Sequence, residues 1–282
     1  MQVIKTISGI KKFSRDVHAA GKTIGFVPTM GYLHSGHMSL VNAAREECGI
    51  VIVSIFVNPI QFGPSEDLAG YPRDIENDKK VLEEAGVDLL FCPDDDEMYG
   101  NGFSTHVEVT GVLTENLCGR SRPGHFKGVT TVVAKLFNII SPDISYFGQK
   151  DIQQAMIVGK MAGDLNFSTR ISVMPVIREE DGLAMSSRNS YLSAEERSQA
   201  VQLYRSLEKA RSMVEKGEKS SELIKKSARE FLKGFDMINI DYLEIVDSER
   251  LQPVVTIEND VYVAIAAFLG STRLIDNIKV SI

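Results

Sequence analysis

The chain has 282 residues, a formal net charge of −7 and a sequence pI of about 5.4, a balance that argues against a surface coating nucleic acid. Hydrophobic residues make up 43% of the chain, which is enough for a packed core and argues against disorder. No segment approaches the roughly 20 consecutive apolar residues of a membrane-spanning helix, so we expect no membrane partner.

Strand and helix patterns alternate along the first 175 residues. Runs of β-branched and apolar residues predict strands at 23–27, 50–57, 87–91, 144–147 and 169–173. Amphipathic segments between these runs predict helices at 37–47, 74–85, 129–140 and 151–162. Because parallel strands are buried on both faces and are joined by helical crossovers, this order predicts an α/β domain with a Rossmann-like, doubly wound parallel sheet.

The pattern changes after Pro175, where we place a domain boundary between residues 1–175 and 176–282. Two charged helices are predicted at 194–216 and 220–232, and alternating strands follow at 238–246, 261–268 and 272–280. The second domain is therefore expected to be a smaller α+β unit with an antiparallel sheet. Open α/β sheets bind ligands beyond the carboxyl ends of their strands. We expect the second domain to close over that edge and form a cleft.

The cysteines indicate whether the protein works in a reducing or an oxidising compartment. Cys48, Cys92 and Cys118 are odd in number and widely spaced, with no Cys-x-x-Cys pair. A disulfide framework or a zinc cluster is therefore not expected, and a reducing cytosol fits better. The first residues also lack the apolar core of a signal peptide. We expect a cytoplasmic protein.

Two histidines mark the most informative segment. His34 and His37 flank Gly36 at the start of the predicted helix that follows the first predicted strand. The unpaired N–H groups and the dipole of a helix N-terminus attract phosphate. The spacing alone fits a phosphate site and a pair of exposed caps equally well. A zinc site would require at least a third protein ligand.

A second motif, Met185-Ser186-Ser187-Arg188, places two hydroxyls beside a guanidinium. This composition suits a flexible phosphate clamp, although alone it is more typical of a loop with a helix cap. Nucleotidylyl-transfer enzymes and class I aminoacyl-tRNA synthetases combine an H-x-G-H helix start with a distant M-S loop, and both motifs contact ATP. A dinucleotide-binding G-x-G-x-x-G is absent after the first strand.

Five blocks of sequence resemble the pantothenate synthetase (pantoate–β-alanine ligase) family of the HxGH nucleotidylyltransferase-like superfamily. They follow one another in the family's order and lie at 28–41, 54–74, 119–129, 146–154 and 181–192. Ala184 stands where aminoacyl-tRNA synthetases carry the first lysine of K-M-S-K-S. This difference separates the chain from tRNA-linked enzymes, and we expect no nucleic-acid partner.

The resemblance implies an ATP-dependent condensation of (R)-pantoate with β-alanine to pantothenate, within coenzyme A biosynthesis. The implied intermediate is pantoyl adenylate, and the products include AMP and pyrophosphate. Mg²⁺ and a homodimer are implied as well. A nucleotidylyltransferase that keeps the nucleotide in its product and a non-catalytic nucleotide-binding module remain the alternatives.

The resemblance also implies roles for individual residues. His37, His34 and Lys150 would be catalytic, with His37 donating to the phosphates. Gln61 and Gln154 would bind pantoate or β-alanine, and Asn58 is a weaker candidate. The residues implied to contact ATP are Pro28, Thr29, Met30, Gly36, His37, Gly148, Gln149, Lys150, Asp151, Ile177, Met185, Ser186, Ser187 and Arg188. No metal ligand is assigned.

Two charged segments complete the sequence predictions. Residues 119–128 hold four basic or imidazole side chains among glycines and a proline, which suits a mobile basic lid over an anionic site. Residues 94–97 are all acidic. A magnesium site is one interpretation of that run, but a solvated loop is favoured.

Overall fold

A computed structural model describes residues 1–64 and 66–282, so that Ser65, within the second resembling block, lies outside the description. The chain divides into two compact units. The first holds residues 1–109, 122–149 and 154–175, and the second holds residues 110–121, 150–153 and 176–282. The domain division at 175 stays a prediction.

The first unit is built on a parallel sheet of six strands in the order β1-β4-β3-β2-β5-β6. The strands are β1 (Gln2–Ile4), β2 (Ile24–Thr29), β3 (Ile50–Ile55), β4 (Leu89–Phe91), β5 (Ile144–Gly148) and β6 (Arg170–Met174). The long helices of this unit are α1 (Ile7–Ala19), α2 (Ser35–Glu47), α3 (Ile75–Glu84), α6 (His125–Ile140) and α7 (Ile152–Asp164, from residue 154 on), with the short α4 (Asp95–Met98). The short α5 (Leu117–Ser121) belongs to the second unit.

Apolar packing on both faces of this sheet explains its architecture. Phe26, Ile52 and Phe91 belong to one core cluster together with residues of α1 and α6. Val27, Val53 and other strand residues belong to a second cluster that includes α2. Strands buried on both sides appear in the sequence as continuous apolar runs. The predicted doubly wound parallel sheet is confirmed.

The second unit contains an antiparallel sheet of three strands, β7 (Ile238–Asp247), β8 (Val261–Leu269) and β9 (Thr272–Val280), in that order. Helices α8 (Ala194–Glu215) and α9 (Ser221–Leu232) share its apolar core through residues such as Leu207 and Ile224. The predicted smaller α+β architecture is confirmed. Among the described residues, no helix combines the length and apolarity needed to cross a bilayer.

The basic segment 119–128, which is predicted to be a mobile lid, has helical structure at both of its ends. Helix α5 ends within it, and α6 begins at His125. Its glycines permit close contacts and a left-handed turn: a Cβ on Gly119 would lie 2.1 Å from the carbonyl oxygen of Thr114, and Gly124 has a φ of 82°. These positions require glycine for steric reasons. The mobility of this segment as a lid stays a prediction.

The acidic run 94–97 also has an ordered structure. Asp94 caps α4, because its Oδ1 accepts the backbone N–H of Glu97 at 2.8 Å. The Glu97 Oε1 accepts the backbone N–H of Ile7 at 2.6 Å. The three aspartates are exposed, as expected of a solvated segment, but their backbone forms a capped helical turn that is bonded to the start of α1.

Candidate active site

The two histidines of the H-x-G-H segment cap α2 through their own rings. The backbone N–H of Gly36 donates to Nδ1 of His34 at 3.1 Å, and the backbone N–H of His34 donates to Nδ1 of His37 at 3.3 Å. The ring centroids are 4.1 Å apart. Because each Nδ1 accepts a hydrogen bond, each neutral ring carries its proton on Nε2. The capping bonds therefore make Nε2 the donor atom of both histidines.

A buried carboxylate holds the turn that leads into this helix. Asp78 is 1% exposed, and its two oxygens accept the backbone N–H groups of Tyr32 at 2.8 Å and Leu33 at 2.7 Å. Burial raises the pKa of Asp78, and these two hydrogen bonds oppose that rise. Tyr32 has a φ of 52°, in the left-handed region. Asp78 thus stabilises a strained turn immediately before His34.

Sequence reasoning missed Asp78, although a signal was present. Asp78 and Leu82 lie one helical turn apart on the buried side of α3. An acidic residue in register with a buried leucine is unusual, since an isolated carboxylate is costly to bury. Such a position indicates a carboxylate that accepts buried backbone N–H groups.

Gln61 lies in a 3₁₀ turn, Pro59–Gln61, that follows β3. Its Oε1 accepts from Nδ2 of Asn58 at 2.9 Å, and its Nε2 donates to Sδ of Met30 at 3.1 Å. Asn58 also donates to the carbonyl oxygen of Gly128 at 3.1 Å and accepts from the Tyr99 hydroxyl at 2.7 Å. The structure therefore brings three predicted site residues together, and Asn58 orients the amide of Gln61.

A chain of charge-assisted bonds holds the main chain of Gln61. Nδ1 of His125 donates to the carbonyl oxygen of Gln61 at 2.9 Å, which fixes the tautomer of His125. Its Nε2 consequently accepts from the Arg122 guanidinium at 2.9 Å. Arg122 binds both oxygens of Glu66 at 2.7 and 2.6 Å. Two residues of the supposed lid thus support the Gln61 turn.

The Glu66–Arg122 pair should make the folded protein sensitive to acid. Burial alone would raise the pKa of Glu66, but Arg122 outweighs burial and lowers that pKa from 4.5 to about 2. The stabilisation is therefore present above the unfolded pKa and is lost as the pH falls toward the folded value. From about pH 6 to about pH 3, we expect wild type to lose about 2 kcal/mol more unfolding free energy than Glu66→Gln. Urea melts at each pH measure the difference, and parallel curves would refute the expectation.

The carboxyl ends of β1 to β4 line a pocket of about 1290 Å³ within the first unit. Met30 follows β2, Phe56 follows β3 and Cys92 follows β4 along its wall. Asp78 and Lys79 of α3 also line it. The pocket lies at the edge of the parallel sheet where such folds bind ligands. Its wall combines apolar with charged groups, as expected for a site that takes a small polar molecule.

The remaining predicted residues of the first unit follow from its strands and helices. Pro28 and Thr29 end β2, and the Thr29 hydroxyl donates to the carbonyl oxygen of Ser54 at 2.8 Å. Gly148 ends β5, and Gln149 begins a 3₁₀ turn, Gln149–Asp151. Gln154 lies half-buried in the first turn of α7.

The second unit holds the other predicted residues, in two segments. Nζ of Lys150 lies 3.5 Å from Oδ2 of Asp151. The carbonyl oxygen of Ile177 accepts the backbone N–H of Met185 at 2.9 Å, and Arg178 pairs with Ala184 in an antiparallel bridge. The segment therefore forms a short hairpin.

The Met185–Arg188 motif includes a helix cap, which is the structure typical of such a run, and its role as a phosphate clamp stays a prediction. Ser186 caps a 3₁₀ helix, Ser187–Tyr191, because its hydroxyl oxygen accepts the backbone N–H of Arg188 at 3.3 Å. Asn189 anchors this helix by donating to Glu179 at 2.8 Å and to the carbonyl oxygen of Ala184 at 3.1 Å. The hydroxyls and guanidinium are consequently presented from ordered backbone.

The described residues form no evident metal-binding site made of protein ligands alone. Among residues 1–64 and 66–282, no group of three or more His, Cys, Asp or Glu side chains is arranged to hold one. Mg²⁺ usually binds through substrate phosphates, waters and one or two carboxylates, which requires no such group. The residues are therefore compatible with Mg²⁺ that arrives on ATP.

Comparisons with known proteins agree over nearly the whole chain. A family model described as pantoate-beta-alanine ligase matches residues 2–279. A protein named pantothenate synthetase from Thermotoga petrophila is 56% identical over 277 residues, which are 98% of this chain and 99% of that protein. Another with the same name, from Carboxydothermus hydrogenoformans, is 53% identical over 277 residues and 98% of each chain.

Solved structures give the same result. The crystal structure of pantothenate synthetase from Thermus thermophilus has a TM-score of 0.93 and 46% identity, covering 99% of both chains. A pantoate-beta-alanine ligase from Francisella tularensis, complexed with beta-gamma ATP and beta-alanine, has a TM-score of 0.81 and 32% identity, with 99% of this chain and 97% of that chain covered. The chain belongs to the pantoate–β-alanine ligase family.

Proposed function

We propose that this ligase joins (R)-pantoate to β-alanine through a pantoyl-adenylate intermediate, with release of pyrophosphate and AMP. The ATP-dependent ligation itself follows from membership of the family, and the related Francisella structure contains both an ATP species and beta-alanine. One observation carries the adenylation step. Two imidazoles at the N-terminus of α2 have their Nδ1 atoms occupied by backbone donors, so both offer Nε2–H to an anion.

The first chemical step brings two anions together. A carboxylate oxygen of pantoate attacks the α-phosphorus of ATP, and the bond between that phosphorus and pyrophosphate breaks. His37 donates a hydrogen bond from Nε2 to the departing phosphates, with His34 beside it. Full proton transfer is not required, because pyrophosphate is already a good leaving group. Fixed donors that meet developing charge are an effective way to lower such a barrier.

Cationic and hydroxyl groups complete the proposed ATP site. The Lys150 ammonium and the Arg188 guanidinium would neutralise phosphate oxygens, and Ser186 and Ser187 would bind them. Ile177 would contact adenine through its backbone. Mg²⁺ bound to ATP would supply further neutralisation of the triphosphate. The other proposed ATP contacts are Pro28, Thr29, Met30, Gly36, Gly148, Gln149, Asp151 and Met185.

The second step forms the amide bond. The neutral amine of β-alanine attacks the acyl carbon of the adenylate, its nitrogen loses one proton to solvent, and AMP leaves with the electron pair of the broken C–O bond. Gln61 and Gln154 would bind pantoate and β-alanine through neutral amides. Asn58 would act by orienting Gln61, since it donates to Gln61 Oε1.

We also propose a compartment and an assembly for the enzyme. ATP as substrate and three free thiols suit the cytoplasm. Homodimers with two-fold symmetry are the commonest soluble assemblies, and we propose one here, which sedimentation equilibrium would test.

An isotope experiment tests the intermediate. Pantoate labelled with ¹⁸O in its carboxylate should transfer one label to AMP, and pyrophosphate should exchange into ATP when pantoate is present and β-alanine is absent. Label in inorganic phosphate with formation of ADP would instead indicate an acyl phosphate. A product that retains the nucleotide would favour a nucleotidylyltransferase. Either outcome would contradict the proposal.

A further inference from the structure

Two adjacent polar side chains are buried in the last strand. Asp276 and Asn277 of β9 are 4% and 3% exposed. Leu274, Ile278 and Val280 of the same strand belong to the apolar core of the second unit. Buried polar groups are costly unless they are fully hydrogen-bonded, and apolar residues at such sites often give equal or greater stability. The hydrogen bonds of Asp276 and Asn277 therefore indicate the role of these two residues.

The carboxylate of Asp276 forms a bidentate pair with Arg178. The two N···O distances are 2.6 and 3.0 Å. Arg178 also donates to the carbonyl oxygen of Gly182 at 3.1 Å, and its guanidinium lies 3.8 Å from the ring centroid of Tyr204. Because Arg178 pairs with Ala184 in the hairpin, Asp276 fixes the base of the segment that carries Met185–Arg188.

The Asp276–Arg178 pair also binds the main chain of Asn277. The backbone N–H of Asn277 donates to Oδ1 of Asp276 at 2.7 Å, and its carbonyl oxygen accepts from Arg178 at 3.3 Å. The side chain then donates from Nδ2 to the carbonyl oxygen of Lys150 at 3.0 Å. A continuous path of bonds therefore connects the hairpin, β9 and the backbone of Lys150.

We infer that Asn277 is a positioning residue for adenylation, which acts by fixing the backbone from which the Lys150 side chain extends. The Asp276–Arg178 pair holds Asn277 in place for this purpose. The inference rests on the proposed role of Lys150 at the ATP phosphates. A misplacement of about 1 Å at a catalytic group can cost about 10²-fold in rate. Loss of the one hydrogen bond to the Lys150 carbonyl can therefore lower the rate of adenylation.

A double-mutant cycle tests this inference in the full-length protein. Pantoate-dependent ATP–pyrophosphate exchange is measured for wild type, Asn277→Ala, Lys150→Met and the double variant. We expect Asn277→Ala to lower kcat for exchange by about 10-fold to 10²-fold, and to have less than about a twofold effect in the Lys150→Met background, because coupled residues are not additive. The KM for β-alanine in the complete reaction should stay unchanged.

Two further variants keep the result interpretable. Asn277→Asp keeps the shape but places carboxylate oxygens against the Lys150 carbonyl, so it should lower kcat at least as far as alanine does. Asn239→Asp adds the same charge at an exposed position of β7 and should leave exchange unchanged. Thermal melts verify that each variant is folded.

The outcomes distinguish failure of the positioning role of Asn277 from failure of the proposed role of Lys150. If Lys150→Met lowers exchange but Asn277→Ala does not, or if Asn277→Ala costs the same factor in both backgrounds, the positioning role is wrong and the role of Lys150 stands. If Lys150→Met exchanges at the wild-type rate, the proposed role of Lys150 is wrong, and the inference fails with it.

Discussion

Replacing His37 by asparagine should lower the rate of pantoate-dependent ATP–pyrophosphate exchange by about 10²-fold to 10³-fold while the protein stays folded. Asparagine has an oxygen near the position of Nδ1, so it can still accept the backbone N–H of His34. It has no atom at the position of Nε2. The variant therefore removes the proposed donor to phosphate and keeps the helix cap.

Two companion variants separate capping from catalysis. His37→Ala removes both functions, so it should match asparagine in rate and be less stable by about 1 kcal/mol. His18→Asn changes an exposed histidine in the last turn of α1, whose Nε2 lies 3.3 Å from Oδ2 of Asp143. It should leave the exchange rate unchanged and cost less than about 1 kcal/mol of stability, because exposed pairs contribute little. A wild-type exchange rate for His37→Asn would mean that His37 serves only as a cap. Exchange kinetics and urea melts provide both measurements.

Gly128→Ala should damage stability and pantoate binding together. A Cβ at this position would lie 2.4 Å from the carbonyl oxygen of Ile60 and 2.5 Å from Cα of Gln61, distances that no rotamer can relieve. Helix α6 and the turn that carries Gln61 must then separate. We expect a loss of about 1–3 kcal/mol of unfolding free energy. We also expect at least about a tenfold rise in the KM for pantoate, because a displaced Gln61 would lose its proposed contact with this substrate.

A matched glycine provides the control. Gly159 lies within α7, and a Cβ there would meet nothing within 4 Å. Gly159→Ala should therefore be neutral or stabilise the protein by up to about 1 kcal/mol, since alanine is the better helix former. Equal behaviour of the two variants would show that the contact between Gly128 and the Gln61 turn is unimportant.

The parts of the fold that sequence could predict are those set by local pattern. Strands β2 and β3 are continuous apolar runs, and helix α3 ends before Gly86, which has a φ of 71°. The H-x-G-H segment located the start of α2 to within two residues, since the predicted start was His37 and the observed start is Ser35. By contrast, β1 and α1 were not predicted. A strand of three residues is too short to show alternation.

The parts that sequence could not predict depend on contacts between distant segments. Glycines 119 and 128 resemble loop residues until the elements that press against them are known. Asp78 is 45 residues from Leu33, whose backbone N–H it accepts. The resemblance to a family supplied the list of site residues, but it did not supply the bonds through which Asn58, His125 and Asp78 hold them.

The bond between Gln61 and Met30 has a consequence for how substrate enters. Thioether sulfur is a weak acceptor, whereas a hydroxyl or carboxylate oxygen is a strong one. The Gln61 amide is oriented by that weak partner and by Asn58. If Gln61 binds pantoate as proposed, a pantoate oxygen can replace the sulfur as acceptor, and no strong hydrogen bond of the amide has to break first. The orientation of the amide would then be set before the substrate binds.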